Sequence, residues 1–388
     1  MSQSLIKPID PIRRRLVLST TSAALASSSL AAYAQSSPAG RNTGEPIRLA
    51  QLLDSSQDQQ EISRDYATGV RLGVSDFNRT ARRRIQLVNF DSDGSPASLK
   101  AVMQSIRKDA GLCALIGTAG ERISLDSIAA ARSEGLAIGH LAPWLSDSRF
   151  DDDRDVVPVF ASHEVQIRYA MKSLESLGIV DIGLVYSSER TFSSLHAGVE
   201  AAAAALKLRS VAYTPRKGED LASMANRLPG NSPAVLLFLG GTIELSQFAQ
   251  TLSARKLQRY VVSLADIDVG TLVELGASRA VPLILTQVVP NPQNSALPAV
   301  RDYRASLKVQ FDEKPSQISL AGYLAARYVL PVLARMERAP TRETVLAEFE
   351  RRTGEDIGGF RIGFSASQRR GSSYVTQTLL TGDGRLVG

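Results

Sequence analysis

Two adjacent residues of opposite charge, Glu121 and Arg122, stand where a short apolar run gives way to a helical pattern. A strand-to-helix junction of this kind presents backbone N–H groups and the positive end of a helix dipole, which attract anions. There Arg122 could pair with a carboxylate and Glu121 could accept from an amine. An exposed first turn, with an acidic residue well placed for the dipole, accounts for the same pair equally well. Further on, the single tryptophan, Trp144, follows His140, Leu141, Ala142 and Pro143. Its ring could stack on an aromatic or apolar ligand, or pack beneath the acidic stretch 150–155. Gly240 and Gly241 end another apolar run and could offer backbone donors, although a glycine pair alone is a weak signal.

Enzyme readings have less to stand on. The first strand is followed by no G-x-G-x-x-G, and the chain holds no Walker loop and no G-x-S-x-G elbow. Histidines at 140, 163 and 196 are too dispersed to suggest a metal site, so no metal and no cofactor is expected. Lysines and arginines are scattered without aromatic interleaving, which gives nucleic-acid binding little support. The acidic stretch lacks the spacing and glycine of an EF-hand. Cys113, the only cysteine, sits in an apolar run and reads as an inert core residue.

The elements that must position these residues follow from periodicity. Residues 113–116, CALI, have the bareness of a strand buried on both faces of a parallel sheet. Glycines at 117 and 120 break the run, Ile123, Ile128 and Ala131 follow at helical spacing, and Gly135 stops the helix. A second strand is expected at 136–138, running into a loop at 139–144. Two such loops at the carboxyl ends of neighbouring strands form the crevice where open α/β sheets bind ligands. Upstream, 47–53 and 85–90 read as strands, and Ile62, Tyr66, Val70, Val74 and Phe77 stripe the helix between them. Ser95 and Pro96 read as an N-cap with proline at the first helical position.

After Val156 a second strand–helix series begins, with strands expected at 182–186, 209–213, 235–239, 260–264 and 283–287, and a helix at 193–206 between the first two. Helical segments at about 297–311, 317–337 and 342–353 are left over, then strand-like pieces at 360–364 and 374–380. These helices exceed what the second series needs, so the chain is expected to return to the first lobe near Pro290 and to cross again near Gly358. Three crossings make a hinge. The expected lobes are 45–158 with 290–357, and 159–289 with 358–388: an α/β protein of two doubly wound, Rossmann-like lobes joined by three strands.

The N-terminus reads as an export signal. Arg13, Arg14 and Arg15 precede an apolar region, then Ala32-Tyr33-Ala34, an A-x-A cleavage pattern. The twin arginines are similar to a Tat signal, with Sec as the competing route. Residues 1–34 are therefore the expected signal peptide and 35–44 a disordered linker. The whole chain carries +6; without residues 1–34, which hold four basic residues and one acidic, it carries +3. No uninterrupted apolar run approaches the length of a membrane span.

With these pieces in order, the chain resembles type I periplasmic solute-binding proteins of the branched-chain amino acid (leucine/isoleucine/valine-type) ABC-transporter family. The carriers are IRLAQLL, GVRLGVSDFN, DSDGSPASLKAVMQSI, LIGTAGERIS, GLAIGHLAPW, IGLVYSSERTFSSLHAGVEAA, FLGGTIELSQFAQTL and the closing FRIGFSASQRRGSSYVTQTLLTGDGRLV. The resemblance implies a periplasmic, non-enzymatic protein, expected to be a monomer. It would bind an amino acid or related small organic acid or amide and pass it to an inner-membrane ABC permease. A sensor subunit serving a receptor kinase is the alternative.

The resemblance also implies site residues. Gly120 and Glu121 stand where the family shows a serine pair, and His140, Ala142 and Trp144 where it shows a Ser-x-x-Thr-like run. Phe192 lies one position from where a family ring covers the ligand, and a hydrophobic staple of the helix accounts for it nearly as well. Asp266 and Asp268 follow a strand end where a family carboxylate meets a ligand amine; an N-cap explains Asp268 as well. With Arg122 and Gly241 these complete the candidate set, and the departures point away from a simple branched-chain amino acid.

Overall fold

A computed structural model describes residues 44–388, apart from 58, 312, 352, 366 and 367. The expected signal peptide and all but the last residue of the expected linker lie outside the described residues.

The chain opens as β1 (Ile47–Asp54), α1 (Gln60–Thr80), β2 (Ile85–Ser92), α2 (Pro96–Lys108), β3 (Leu112–Ile116), α3 (Glu121–Ser133), β4 (Gly139–Leu141) and β5 (Val156–Val157). These strands form one parallel sheet in the order β2-β1-β3-β4-β5. All five residues of β3 are buried, because helices cover both faces and leave polar side chains no outlet. Ser95 caps α2 by accepting from the Ser98 N–H, with Pro96 at the first helical position. Gly135, at φ +63°, closes α3 in the left-handed region.

Two element bounds differ from expectation. The strand placed at 136–138 starts at Gly139, where pairing with Ala114 begins; Leu136 and Ile138 pack with α2 and α3 instead. His140, expected in a loop, is therefore inside β4, opposite Val156. The helix expected from 193 starts four residues earlier.

The second series runs α4 (His163–Ser176), β6 (Asp181–Tyr186), α5 (Glu189–Ala205), β7 (Arg209–Tyr213), α6 (Leu221–Asn226), β8 (Val235–Leu239), α7 (Thr242–Ala254), β9 (Tyr260–Ser263), α8 (Val269–Glu274) and β10 (Leu283–Gln287). There follow α9 (Pro298–Gln310), α10 (Gln317–Ala334), α11 (Arg342–Glu350), β11 (Glu355–Ile357), β12 (Phe360–Ile362), β13 (Thr376–Leu380) and β14 (Leu386–Val387). The second sheet is ordered β14-β13-β10-β9-β8-β6-β7, with β13 and β14 antiparallel to their neighbours. The chain thus passes between the sheets after β5, after β10 and after β12. Residues of α9, α10, α11, Phe360 and Ile362 all belong to the apolar cluster built on α1 and β1.

At the centre of that cluster α1 and α10 touch through their backbones. A Cβ on Gly69 would stand 1.8 Å from the Ser319 carbonyl oxygen, and one on Gly322 2.1 Å from that of Tyr66. The 18 residues of α10 are apolar enough to cross a membrane by length and composition. The helix is not an uninterrupted apolar run, since Arg327 divides it. All its residues but Arg327, Pro331 and Ala334 are buried against the core.

Candidate functional site

The loops after β3 and β4 are joined edge to edge. Trp144 N–H donates to the Thr118 carbonyl (2.9 Å), and Gly120 N–H to the Trp144 carbonyl (3.3 Å). Gly120 adopts φ +116° there, open to glycine and costly for other residues. It leads directly into α3, whose first residue, Glu121, accepts from the Ser146 N–H at Oε2 (3.0 Å). Burial raises the Glu121 carboxyl above its usual range, against the opposing pull of His163. Arg122 is engaged by Asp54 Oδ2 (3.0 Å), Ser56 Oγ (2.8 Å) and the Gly94 carbonyl (3.4 Å). It thereby ties α3 to the ends of β1 and β2.

Ala142 stands at φ +48°, its N–H bonded to the Val157 carbonyl and its own carbonyl accepting from the Tyr66 hydroxyl. That conformation aims the chain so that Trp144 enters the core, 3% exposed. Its ring lies 6.0 Å from Tyr66 and 5.4 Å from Phe160, both tilted. The indole N–H is buried with no hydrogen-bond partner among the described residues. It faces Asp266, whose charged form it favours.

Asp266, on the loop after β9, brings the second sheet to this place. Its Oδ1 accepts from the Ser146 hydroxyl (3.4 Å), and its Oδ2 meets His163 Nε2. Burial works to raise the Asp266 carboxyl, but His163, Ser146 and Trp144 outweigh it and hold it below the usual range. For His163 the balance has the same form: burial depresses it, yet Asp266 and Glu121 push it up to about 9. His163 opens α4, and its N–H donates to the Ser146 carbonyl (3.0 Å). Gln166, one turn on, accepts at Oε1 from the Ala265 N–H (2.9 Å) and the Thr286 hydroxyl (2.8 Å). It sets the height of the Asp266 loop.

The structure therefore brings Gly120, Glu121, Trp144 and Asp266 into one polar cluster, with Ala142 behind it. Phe192 lies elsewhere, stacked on His196 (4.2 Å, 20°) and edge-on to Tyr186 (5.1 Å). Gly241 caps α7, where a Cβ would stand 2.7 Å from Glu244 Oε2. His140 is fully inside β4; burial pushes it down to about 4, and its Nδ1 has no partner among the described residues. Sequence reasoning passed over Ser146, His163 and Gln166. The one available signal was the Ser162 N-cap, which marks His163 as a helix start beside a crossing. Among the described residues no three His, Cys, Asp or Glu side chains are grouped to hold a metal ion.

In this cluster Glu121 and Asp266 both bond to Ser146, and His163 pairs with Asp266. The family model for periplasmic binding proteins matches residues 46–384. Among solved structures, the fold is similar to a substrate-binding periplasmic protein from Ralstonia solanacearum, at 23% identity and TM-score 0.77, covering 88% of this chain and 99% of that one. It is similar also to a leucine binding protein from Thermotoga maritima (15%, TM-score 0.75, 88% and 97%). A third is a fatty acid ABC transporter substrate-binding protein from Thermomonospora curvata (14%, TM-score 0.74, 89% and 93%). A search of curated proteins finds no match. With its sequence matched over nearly all the described residues and its two α/β sheets crossed three times, the chain belongs to the periplasmic binding protein family and has the type I fold.

Proposed function

We propose that the protein, once exported, captures a small molecule between its two lobes and delivers it to an inner-membrane ABC importer. The ligand class we favour is an amino acid or a related small organic acid or amide. One observation carries the reading: Glu121 from the first sheet and Asp266 from the second both accept from Ser146, so polar groups of the two sheets meet at their carboxyl ends. Groups set on opposite sides of a hinge change their separation when it moves, so a ligand that bridges them shifts the population toward closure. The named relatives span leucine and fatty acid, so the fold admits both a zwitterion and a largely apolar acid. A buried zwitterion needs both of its charges matched. Here Arg122 is engaged by Asp54 and His163 by Asp266, which leaves backbone N–H groups to meet a carboxylate, while Glu121 and Asp266 favour an amine or amide.

The test is a thermal-shift screen across amino acids, aromatic acids and amides. A ligand at a hundred times its Kd stabilises by about 2.7 kcal/mol, well above detection. Glu121→Gln and Asp266→Asn are expected to abolish the shift of whichever compound is found. If the shift survives both substitutions, the ligand binds elsewhere and this assignment of the cleft is wrong.

A further inference from the structure

Arg370 lies on the last crossing, between β12 and β13, and is 4% exposed. Its Nη1 donates to the carbonyls of Leu145 (2.7 Å) and Phe160 (2.9 Å), its Nη2 to that of Asp147 (2.9 Å) and its Nε to Asp151 Oδ1 (2.9 Å). Three of these acceptors are main-chain oxygens. Two of the three flank Ser146, and the third lies three residues before His163.

The Leu145 carbonyl and the Ser146 N–H belong to one planar trans peptide, so they point in opposite directions. Pinning the oxygen on the guanidinium therefore aims the N–H at Glu121 Oε2. Ser146 then has no polar group to spare: its N–H goes to Glu121, its carbonyl accepts from His163 and its hydroxyl goes to Asp266. A peptide held between a cation at one end and a carboxylate at the other is polarised, which strengthens both hydrogen bonds.

We infer that Arg370 is a positioning residue for the proposed ligand cleft, acting on Glu121 through the 145–146 peptide. It carries the placement of the hinge's third strand into the cleft without touching a ligand itself. The inference rests on the cleft reading above only in calling the cluster a ligand site. The coupling of Arg370 to Glu121 is independent of any ligand.

The experiment uses the ligand-free chain. Amide hydrogen exchange is followed across 142–151. The pH response of Trp144 emission is recorded alongside, with the Glu121 step assigned by its loss in Glu121→Gln. His163, Asp266 and Asp147 also face Glu121, so His163→Gln serves to separate the histidine's step. Arg370→Lys keeps a positive charge but cannot span four acceptors. It is expected to speed exchange at Ser146 about tenfold, roughly one hydrogen bond's worth of protection, and to move the Glu121 step to higher pH. Asp151→Asn, which removes the carboxylate partner and leaves the carbonyl contacts, is expected to change neither. Wild-type exchange and pH response in Arg370→Lys would overturn the inference. So would an Asp151→Asn variant that reproduces the effects of Arg370→Lys, since the ion pair would then be the whole of the role. An empty ligand screen leaves this result standing, because neither readout uses a ligand.

Discussion

The two sides of the proposed cleft hold their loops by different means. On the first side, an arginine from a distant region of the chain binds main-chain carbonyls: Arg370 holds those of Leu145, Asp147 and Phe160. Beneath them lies the backbone contact of α1 with α10. On the second side the Asp266 loop is held by side chains, Gln166 at the Ala265 N–H and Thr242 at the Asp268 N–H (2.9 Å), and α5 and β7 at the far edge are largely exposed. A support spread over many points tolerates the loss of any one, whereas a loop held by a few side chains has little in reserve. The first side is thus built as a fixed wall, and the second as a loop that a single substitution can loosen.

The largest expected effect tests the wall. Gly322→Ala drives a Cβ into the Tyr66 carbonyl, a main-chain atom that no rotamer change can move. The expected loss is about 3 kcal/mol or more in urea unfolding, at the upper end for overpacked sites. The matched change on the second side, Gly198→Ala in α5, meets nothing within 4 Å. It is expected to gain up to about 1 kcal/mol from helix propensity. Equal losses at the two glycines would erase the contrast between the sides.

Next comes the Gln166 support. Gln166→Ala leaves the Ala265 N–H and the Thr286 hydroxyl unpaired in a buried setting, at an expected cost of about 2 kcal/mol. Hydrogen exchange at 264–268 is expected to rise while that at 142–151 stays as it was. Parallel changes in both loops would mean that the two sides are one mechanical unit.

The smallest effect across the near-neutral range is that of pH, and it divides the histidines. His163 is raised to about 9, so its contribution is complete below about 6.5, the unfolded value, and is lost as pH climbs toward 9. His140 is depressed to about 4, so its contribution is complete above about 6.5 and is lost as pH falls toward 4. Urea midpoints measured from pH 4 to 9.5 are expected to flatten on the alkaline arm in His163→Gln. In a His140→Gln variant the acid arm is the one expected to flatten. Unchanged arms in both variants would remove the histidines from the account.

The architecture was readable because its signals are local and repeated. CALI reads as a doubly covered strand, the stripe from Ile62 to Val74 as a buried helix face, and Ser95-Pro96 as a helix start. The onset of β4 escaped, since Leu136 and Ile138 are as apolar as any strand residue and only pairing with Ala114 and Val156 decides where it begins. The cluster was half legible. Glu121, Trp144 and Asp266 follow apolar runs, where sheet topology puts binding loops. His163 and Arg370 take their meaning from partners 103 residues and more away in sequence. Nothing in the run QRRGSS distinguishes a buried arginine from its solvated neighbour.

The contact between α1 and α10 also sets an order of assembly. A chain emerging N-terminus first completes the strands and helices up to β5 long before Gly69 and Gly73 have anything to lie against. Their partner helix begins at Gln317 and ends at Ala334. Until then the strip of α1 that carries Gly69 and Gly73 stays uncovered, the kind of unfinished surface that holding chaperones engage. The portion made first is the portion finished last, and a product truncated after α9 would keep that strip open for good.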